Sequence, residues 1–283
     1  MDSSKFLVTG ANGQLGKALQ AKYPNAKFAD VGELDITDQE AVDRFDYSHV
    51  THIINAAAYT NVDKAETDQS ICLKINVDGV ANLAQAANKH GLILVHISSD
   101  YVFNGKNDNH TEDEEFSPIS VYGRSKAEGD KQAMQSKNHY IIRASWVIGN
   151  GNNFVRTMMG LADKNISPTV VGDQIGRLTF TSELVRAIDH LLTNQCGYGT
   201  YNLTNSGAPA SWADITREIF KTLGRDDLQV TDTSTEEYFK GKSGIAPRPL
   251  KSTLDLTKIQ ATGFKSTDWH EDLVKYIKTE DQK

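Results

Sequence analysis

Cysteine is scarce in this chain of 283 residues: the two present, Cys72 and Cys196, lie far apart and outside any Cys-x-x-Cys or Cys/His ligand spacing. That argues against a disulfide scaffold and against a zinc site, and leaves both as ordinary packed residues. Long apolar runs are missing as well, and none approaches the roughly 20 residues a membrane helix needs. Basic charge is in deficit, with Lys and Arg at 30 against 37 for Asp and Glu. The net charge of −7 offers no stripe for a nucleic-acid backbone, so any anionic ligand must be met locally. Low-complexity stretches and internal repeats are absent too. With 39% hydrophobic and 24% charged residues the chain reads as globular, disorder being expected only in the last few residues. The opening Met1-Asp2-Ser3-Ser4-Lys5 passes straight into a strand pattern without a secretory signal, and the expected location is the cytoplasm.

What is present is an alternation of strands and helices, and the length suits two lobes. Lys5–Thr9 is an apolar run without polar alternation, as in a parallel strand buried on both faces. It leads into Gly10-Ala11-Asn12-Gly13-Gln14-Leu15-Gly16 and a helical pattern to about Lys22. Glycines in a strand–turn–helix context let the backbone turn tightly and approach a pyrophosphate, whose charge meets the free N–H groups of the helix N-terminus. A second strand around Asn25–Ala29 ends at Asp30, about twenty residues after the glycine turn, where a carboxylate can accept ribose hydroxyls. Asp35 and Ile36 follow and can flank an adenine. No Arg or Lys comes directly after Asp30 to receive a 2′-phosphate, so local charge leans towards NADH. Thr37 and Glu40 read as a capping box for the next helix.

The third strand, around Val50–Ile54, ends in Asn55-Ala56-Ala57-Ala58-Tyr59-Thr60, small residues that leave room for a flat ligand at the sheet edge. A long helix is expected over Gln69–His90, and Lys64 before it is a candidate to face the site. The fourth strand, Leu92–Ile97, delivers Ser98–Phe103 to the same edge, with His96 expected to pack rather than ligate. The loop 104–118, with Glu112, Asp113, Glu114 and Glu115, reads as a solvated acidic margin. A fifth strand is expected over Tyr140–Trp146, a helix near Val155–Lys164, and Ser211 caps a helix to Leu223. A last helix falls around Trp269–Lys278, and Pro247-Arg248-Pro249 presents a single Arg on a stiffened backbone.

The chemistry is concentrated in Tyr122-Gly123-Arg124-Ser125-Lys126. Four residues apart on a helix, the Tyr122 hydroxyl and the Lys126 ammonium share a face. A nearby cation favours the charged form of a phenol, whose free pKa is about 10, so the spacing predicts an acid with a device for lowering its pKa. Residue chemistry alone reaches nicotinamide-dependent carbonyl reduction on a small substrate.

Together with the glycine turn and Ser99, this pair resembles the extended short-chain dehydrogenase/reductase family, and within it the dTDP-4-dehydrorhamnose reductases. The segments NAAAYTNVDKAE (Asn55–Glu66) and SDYVF (Ser99–Phe103) carry the resemblance, with Arg143–Trp146, Gly151–Phe154, Asp173–Gly176 and Arg248-Pro249 in support. The resemblance implies an α/β Rossmann-type doubly wound parallel sheet over residues 1–150 and a mainly substrate-binding lobe over 151–283, with a helix near 182–194 returning to the first. It implies NADPH- or NADH-dependent reduction of the 4-keto group of dTDP-4-dehydro-L-rhamnose, the last step of dTDP-L-rhamnose synthesis for cell-surface polysaccharide. Tyr122, Lys126 and Ser99 would be catalytic. The cofactor set would be Gly10, Asn12, Gly13, Gln14, Leu15, Asp30, Asp35, Ile36, Ala56, Ala57, Ala58 and Tyr59, with Tyr122 and Lys126. The substrate set would be Thr60, Val62, Lys64, Ser99, Asp100, Tyr101, Trp146, Asn153 and Arg248, the last a candidate for the diphosphate.

Departures from the family pattern are Ser99 for Thr, Ala144 for Thr, and Gly176-Arg177-Leu178-Thr179 for Gly-x-Pro-Thr. Ala18 replaces a Glu that some members use in magnesium-linked dimerisation, so no metal ligand is assigned, Mg2+ is doubtful, and either a monomer or a homodimer is expected. Two competing readings share the fold. A nucleotide-sugar dehydratase or epimerase would place an Asp-Glu pair where this chain has Asp100-Tyr101. A non-catalytic NADP-binding regulatory subunit, like the beta subunit of methionine adenosyltransferase, would not need Ser99, Tyr122 and Lys126 together.

Overall fold

A computed structural model of the chain describes residues 2–280, so the expected disorder of the last few residues falls mostly outside the described part. Six strands form one parallel sheet: β1 (Phe6–Thr9), β2 (Lys27–Ala29), β3 (His52–Asn55), β4 (Ile93–Ser99), β5 (His139–Ala144) and β6 (Gly199–Asn202). Their order across the sheet is β2-β1-β3-β4-β5-β6, so the chain reverses direction of travel between β1 and β3. In such sheets that reversal opens a crevice at the carboxyl ends of the strands.

Side chains alternate between the two faces of each strand. Phe6, Val8, Ile54, Val95 and Ile142 pack one way, against α1 (Gln14–Lys22) and α7 (Thr181–Thr193) through Leu15, Leu19, Leu184, Ile188 and Leu191. Leu7, Ile53, Leu94 and Ile141 pack the other way, against Val42 of α2 (Gln39–Arg44), Leu83 and Ala87 of α4 (Gly79–His90) and Ala133 of α5 (Val121–Ala133). Each fully buried Leu or Ile stabilises the fold by about 1.5–3 kcal/mol relative to exposure. A third core joins α6 (Phe154–Asp163), α8 (Trp212–Thr222) and the last helix, α9 (Trp269–Glu280), through Val155, Met158, Ile215, Ile219, Trp269 and Ile277. Ser211 caps α8 in a capping box with Asp214, as the sequence predicts.

Two local expectations are corrected. The helix over Gln69–His90 is interrupted: α3 (Gln69–Leu73) passes through a π-helical turn, Lys74–Asp78, before α4 begins. The widened turn turns Asn76 into the interior, where its Oδ1 accepts from Tyr59 N (2.8 Å) and its Nδ2 donates to Tyr59 O (3.1 Å) and Ser125 Oγ (2.9 Å). Such turns interrupt a helix where a side chain has a specific task. The cap of α2 is Asp38, not Thr37: its Oδ1 accepts from Ala41 N at 3.1 Å, while Thr37 is held by Asp35. The acidic loop also divides. Glu112 accepts from Asn202 N and Glu114 pairs with His110, both half-buried, whereas Asp113 and Glu115 are exposed. No helix among the described residues is long and apolar enough to cross a membrane.

Candidate functional site

Two cavities meet at the crevice. One, of about 270 Å³, is lined by Gly10, Gly13, Asp30, Val31, Leu34, Asp35, Ile36 and Thr37, with Ala56–Ala58 and Ile75. The other, of about 650 Å³, is lined by Asn12–Leu15, Ala56, Ala58, Thr60, Val62, Ser98–Tyr101, Tyr122, Lys126 and Trp146, among others. They share Gly13, Ala56 and Ala58, which makes one bent trough.

The three glycines of the turn do different work. A Cβ on Gly10 would lie 2.5 Å from Ala57 N, and one on Gly16 would lie 2.3 Å from Gly10 O, so both positions let backbone pack on backbone. Gly10 also has φ of 72°, which favours glycine. Gly13 is different: a Cβ there would meet just the Gly10 carbonyl at 3.3 Å, and it faces both cavities. Helix α1 starts behind it without a side-chain cap. Its first N–H groups are the kind that bind a phosphate. The Gln14 side-chain oxygen is buried in the same wall with no hydrogen-bond partner. A polar atom in that state fits a bound ligand better than an empty interior. Asp30 accepts from Asn12 N and Val31 N, each at 2.9 Å, which fixes its carboxylate at the trough edge. The residues of this chain therefore fit a dinucleotide.

Ser99, Tyr122 and Lys126 lie in one place, at the end of β4 and on the first turns of α5. Ser120 caps that helix through Gly123 N, and Glu66 accepts from Val121 N at 2.8 Å. Gly123 is needed there, because a Cβ would lie 2.4 Å from Tyr101 O. The Lys126 ammonium donates to Ile97 O at 2.8 Å and is 2% exposed. Burial pulls its pKa down to about 8, opposed by the charges of Asp130 and Cys72. Burial pushes the Tyr122 phenol well above its ordinary value, and the facing Ser99 hydroxyl pulls the other way. Desolvation is the largest influence on the phenol, so the lowering expected from the Tyr-x-x-x-Lys spacing is outweighed. The Ser99 hydroxyl donates to Asp100 Oδ1 at 3.0 Å. Burial lifts Asp100 to about 6, against hydrogen bonds from Ser252 and Ser99. Tyr101 meets Tyr122 edge to face, with ring centroids 5.4 Å apart.

Other expected residues lie elsewhere. Tyr59 does not line either cavity; it packs in the small core with Cys72 and Tyr122, and its hydroxyl donates to Asp68. Lys64 is exposed and pairs with Asp68 at 3.1 Å. Asn153 caps α6, and its Nδ2 is used up on Gly149 O, Gly151 O and Tyr276 Oη. It thereby shapes the loop that lines the trough beside Gln14. Arg248 pairs with Asp63 at 2.8 Å, donates to Ala246 O and lies over Phe239. It lines a separate slot of about 310 Å³ in the second lobe, with Phe154, Gln174, Trp212, Tyr238 and Phe239. Trp146, at φ of 48°, stacks on Trp212 at 3.8 Å, and this pair separates slot from trough. Gly176 makes room for it, since a Cβ there would lie 3.0 Å from the Trp146 ring.

The expected set lacked Lys17, Ile97, Ser98, Ala144, Val147, Asn150, Gly151 and Leu184 of the larger cavity, Thr9, Val31, Leu34, Thr37 and Ile75 of the smaller, and Asn76 beneath the trough. Asn150 and Gly151 stood in a segment read as a polar turn; Asn76 gave no signal beyond being polar in an otherwise helical pattern.

Comparison with known proteins gives a consistent result. A relative from Aggregatibacter actinomycetemcomitans, a dTDP-4-dehydrorhamnose reductase, is 39% identical over 288 aligned positions, covering 94% of this chain and 96% of the relative. A spore coat polysaccharide biosynthesis protein of Bacillus subtilis is 35% identical over 97% of both chains. Among solved structures, a dTDP-4-dehydrorhamnose reductase from Clostridium acetobutylicum superposes with a TM-score of 0.90 at 38% identity, over 98% of this chain and 99% of that one. One from Bacillus anthracis, in complex with NADP, gives 0.89 at 34% identity over 97% and 98%. The family model described as the RmlD substrate binding domain matches residues 4–282, and this chain belongs to that family.

Proposed function

We propose that this protein reduces the 4-keto group of dTDP-4-dehydro-L-rhamnose with NADH or NADPH, forming dTDP-L-rhamnose in the cytoplasm for cell-surface polysaccharide. The observation that carries the reading is the convergence of Ser99, Tyr122 and Lys126 in a trough continuous with the glycine turn. The names of the relatives support the substrate, and the trough supports the cofactor. Residues 1–150 with α7 and β6 hold the dinucleotide, and most of 151–283 forms the substrate wall.

When bound, the nicotinamide cofactor supplies the hydride. Charge then appears on the carbonyl oxygen, and the protein must orient that oxygen and deliver a proton. Burial keeps the Tyr122 phenol protonated at neutral pH. This suits reduction, because an alkoxide is a much stronger base than a phenolate and takes the proton downhill. A lowered phenol pKa is therefore not needed in this direction. Ser99 orients the oxygen by turning its hydroxyl from Asp100 towards the substrate. Lys126, charged below pH about 8, would hold the ribose hydroxyls of the bound cofactor and compensates the phenolate left behind. Tyr101, where a dehydratase would carry a carboxylate, favours the reductase over elimination chemistry.

The adenosine end is lined by Asp30 and Asp35 with no Arg or Lys among the described lining residues, which supports NADH over NADPH. Loss of reduced-nicotinamide absorbance on adding dTDP-4-dehydro-L-rhamnose tests the assignment. A flat trace with bound substrate would overturn it.

A further inference from the structure

The trough has little positive charge to offer an anionic ligand. Among the described residues that line its two cavities, Lys17 and Lys126 are the cations, set against the carboxylates of Asp30, Asp35 and Asp100. Lys126 is 2% exposed, with its ammonium turned to Ile97 O. Lys17 is exposed, and its ammonium forms no ion pair or hydrogen bond among the described residues. It stands at the end of the first turn of α1, whose N-cap, Gly13, brings no side-chain hydrogen bond and whose first turn carries no acidic residue. A cation near a helix N-terminus is repelled by the macrodipole, so this arrangement gathers positive charge that an anion relieves. Side chains on a helix lean back towards its N-terminus, and Lys17 accordingly lines the same cavity as Gly13 and Gln14. Asn150 and Gly151 line that cavity too, in a loop set close to α1: a Cβ on Gly149 would lie 3.1 Å from Gln14 Cβ, and Asn153 Nδ2 donates to Gly149 O and Gly151 O.

We propose that Lys17 is a binding residue for the diphosphate of the nicotinamide dinucleotide, adding a side-chain cation to the N–H groups at the start of α1. The inference rests on the assignment of the trough to that cofactor. Both ligands of the proposed reaction carry a diphosphate, and the geometry separates them. The cation expected for the sugar nucleotide, Arg248, lies in the slot behind Trp146 and Trp212, paired with Asp63. Lys17 is on the α1 side, beside the glycine turn whose bare backbone suits a phosphate. The adenosine end of the trough does not compete for this role, since Asp30 and Asp35 give it the wrong sign. Because the Lys17 charge sits on an exposed stem, its attraction is screened by salt. Lys22, at the far end of α1 and paired with Asp189 at 3.2 Å, has the same charge without this placement.

The test is NADH affinity, measured by fluorescence at low and at high salt. At low salt the dissociation constant should rise about tenfold in Lys17→Met, stay within about threefold of wild type in Lys17→Arg, and be unaltered in Lys22→Met. The gap between Lys17→Met and wild type should shrink to about twofold at ~1 M salt, where the Debye length is about 3 Å. Binding of dTDP, followed by calorimetry, should be the same in every variant. An NADH affinity unchanged in Lys17→Met overturns the proposal. So does a loss that persists undiminished at high salt, which reports a distorted helix rather than a missing charge. A loss of dTDP affinity with NADH binding unaltered overturns it as well, and hands Lys17 to the sugar nucleotide. These titrations involve no hydride transfer. A wild type that binds NADH more tightly than Lys17→Met, yet leaves the nicotinamide absorbance flat with dTDP-4-dehydro-L-rhamnose, would overturn the reductase reading and leave this inference standing.

Discussion

The two walls of the trough are built by different means. The cofactor wall is mostly backbone: Gly10 and Gly16 close the turn on Ala57 and on the turn's own carbonyls, and Gly13 and Ala56–Ala58 leave the surface bare. The opposite wall is side chain on side chain: Trp146 faces the trough and stacks on Trp212, and in the separate slot behind them Phe154 packs against Trp212 and Arg248 is fixed by Asp63. A backbone wall suits what every dinucleotide has in common, whereas a wall of rings suits a particular shape. Ser99, Tyr122 and Lys126, the proposed catalytic residues, stand where the walls meet, so substitutions should separate binding of the one ligand from binding of the other.

The largest effect belongs to the junction. Tyr122→Phe keeps the ring that packs on Tyr101 and removes the proton donor, so kcat should fall by about 10²–10⁴-fold while cofactor affinity is retained. Steady-state rates and fluorescence titration with NADH check both halves; a kcat within threefold of wild type would remove Tyr122 from the chemistry.

Next comes the backbone wall. Gly16→Ala forces a methyl into contact with Gly10 O and Ala11 O, and should cost about 1–3 kcal/mol of stability and most of the cofactor affinity. Thermal unfolding and NADH titration read this out, and an unchanged melting temperature would mean the turn is looser than described.

On the ring wall, Trp212→Ala removes the stack under Trp146, a contact worth about 0.5–1.5 kcal/mol beyond its buried area. The KM for the sugar nucleotide should rise about tenfold with cofactor affinity unaltered. Equal loss of both would dissolve the distinction between the walls.

The smallest effect is the pH response of Lys126. Its pKa in the folded protein, about 8, lies below its ordinary value of 10.5, so between those values the unfolded chain binds the extra proton. This group's contribution to stability therefore improves as pH rises from 8 to 10.5 and is unfavourable below 8. Lys126→Met should raise the melting temperature at pH 7 by more than at pH 10. In activity the sign is opposite: cofactor affinity should decline as pH rises through about 8, when the amine loses its charge.

Much of the site is legible because its parts are local. Gly10, Gly13 and Gly16 announce a tight strand-to-helix turn, and Tyr122 and Lys126 share a helix face by spacing alone. Tyr59, Lys64, Asn153 and Arg248 sit in segments as distinctive as any, yet their polar atoms turn to Asp68, to loop carbonyls and to Asp63. Distinctive sequence there marks the joints that hold the trough as well as its lining. The π turn at Asn76 was not legible, since its cause is a bond to Tyr59 and Ser125, residues far away in the chain.

By itself the sequence determined the strand–helix alternation, the glycine turn and the pairing of phenol and amine on one helix face, because periodicity and spacing act over one or two turns of chain. The tertiary structure alone decided their protonation. Burial among β4, α3 and α5 raises the phenol and lowers the amine, and desolvation depends on what the fold packs around a group rather than on its neighbours in sequence.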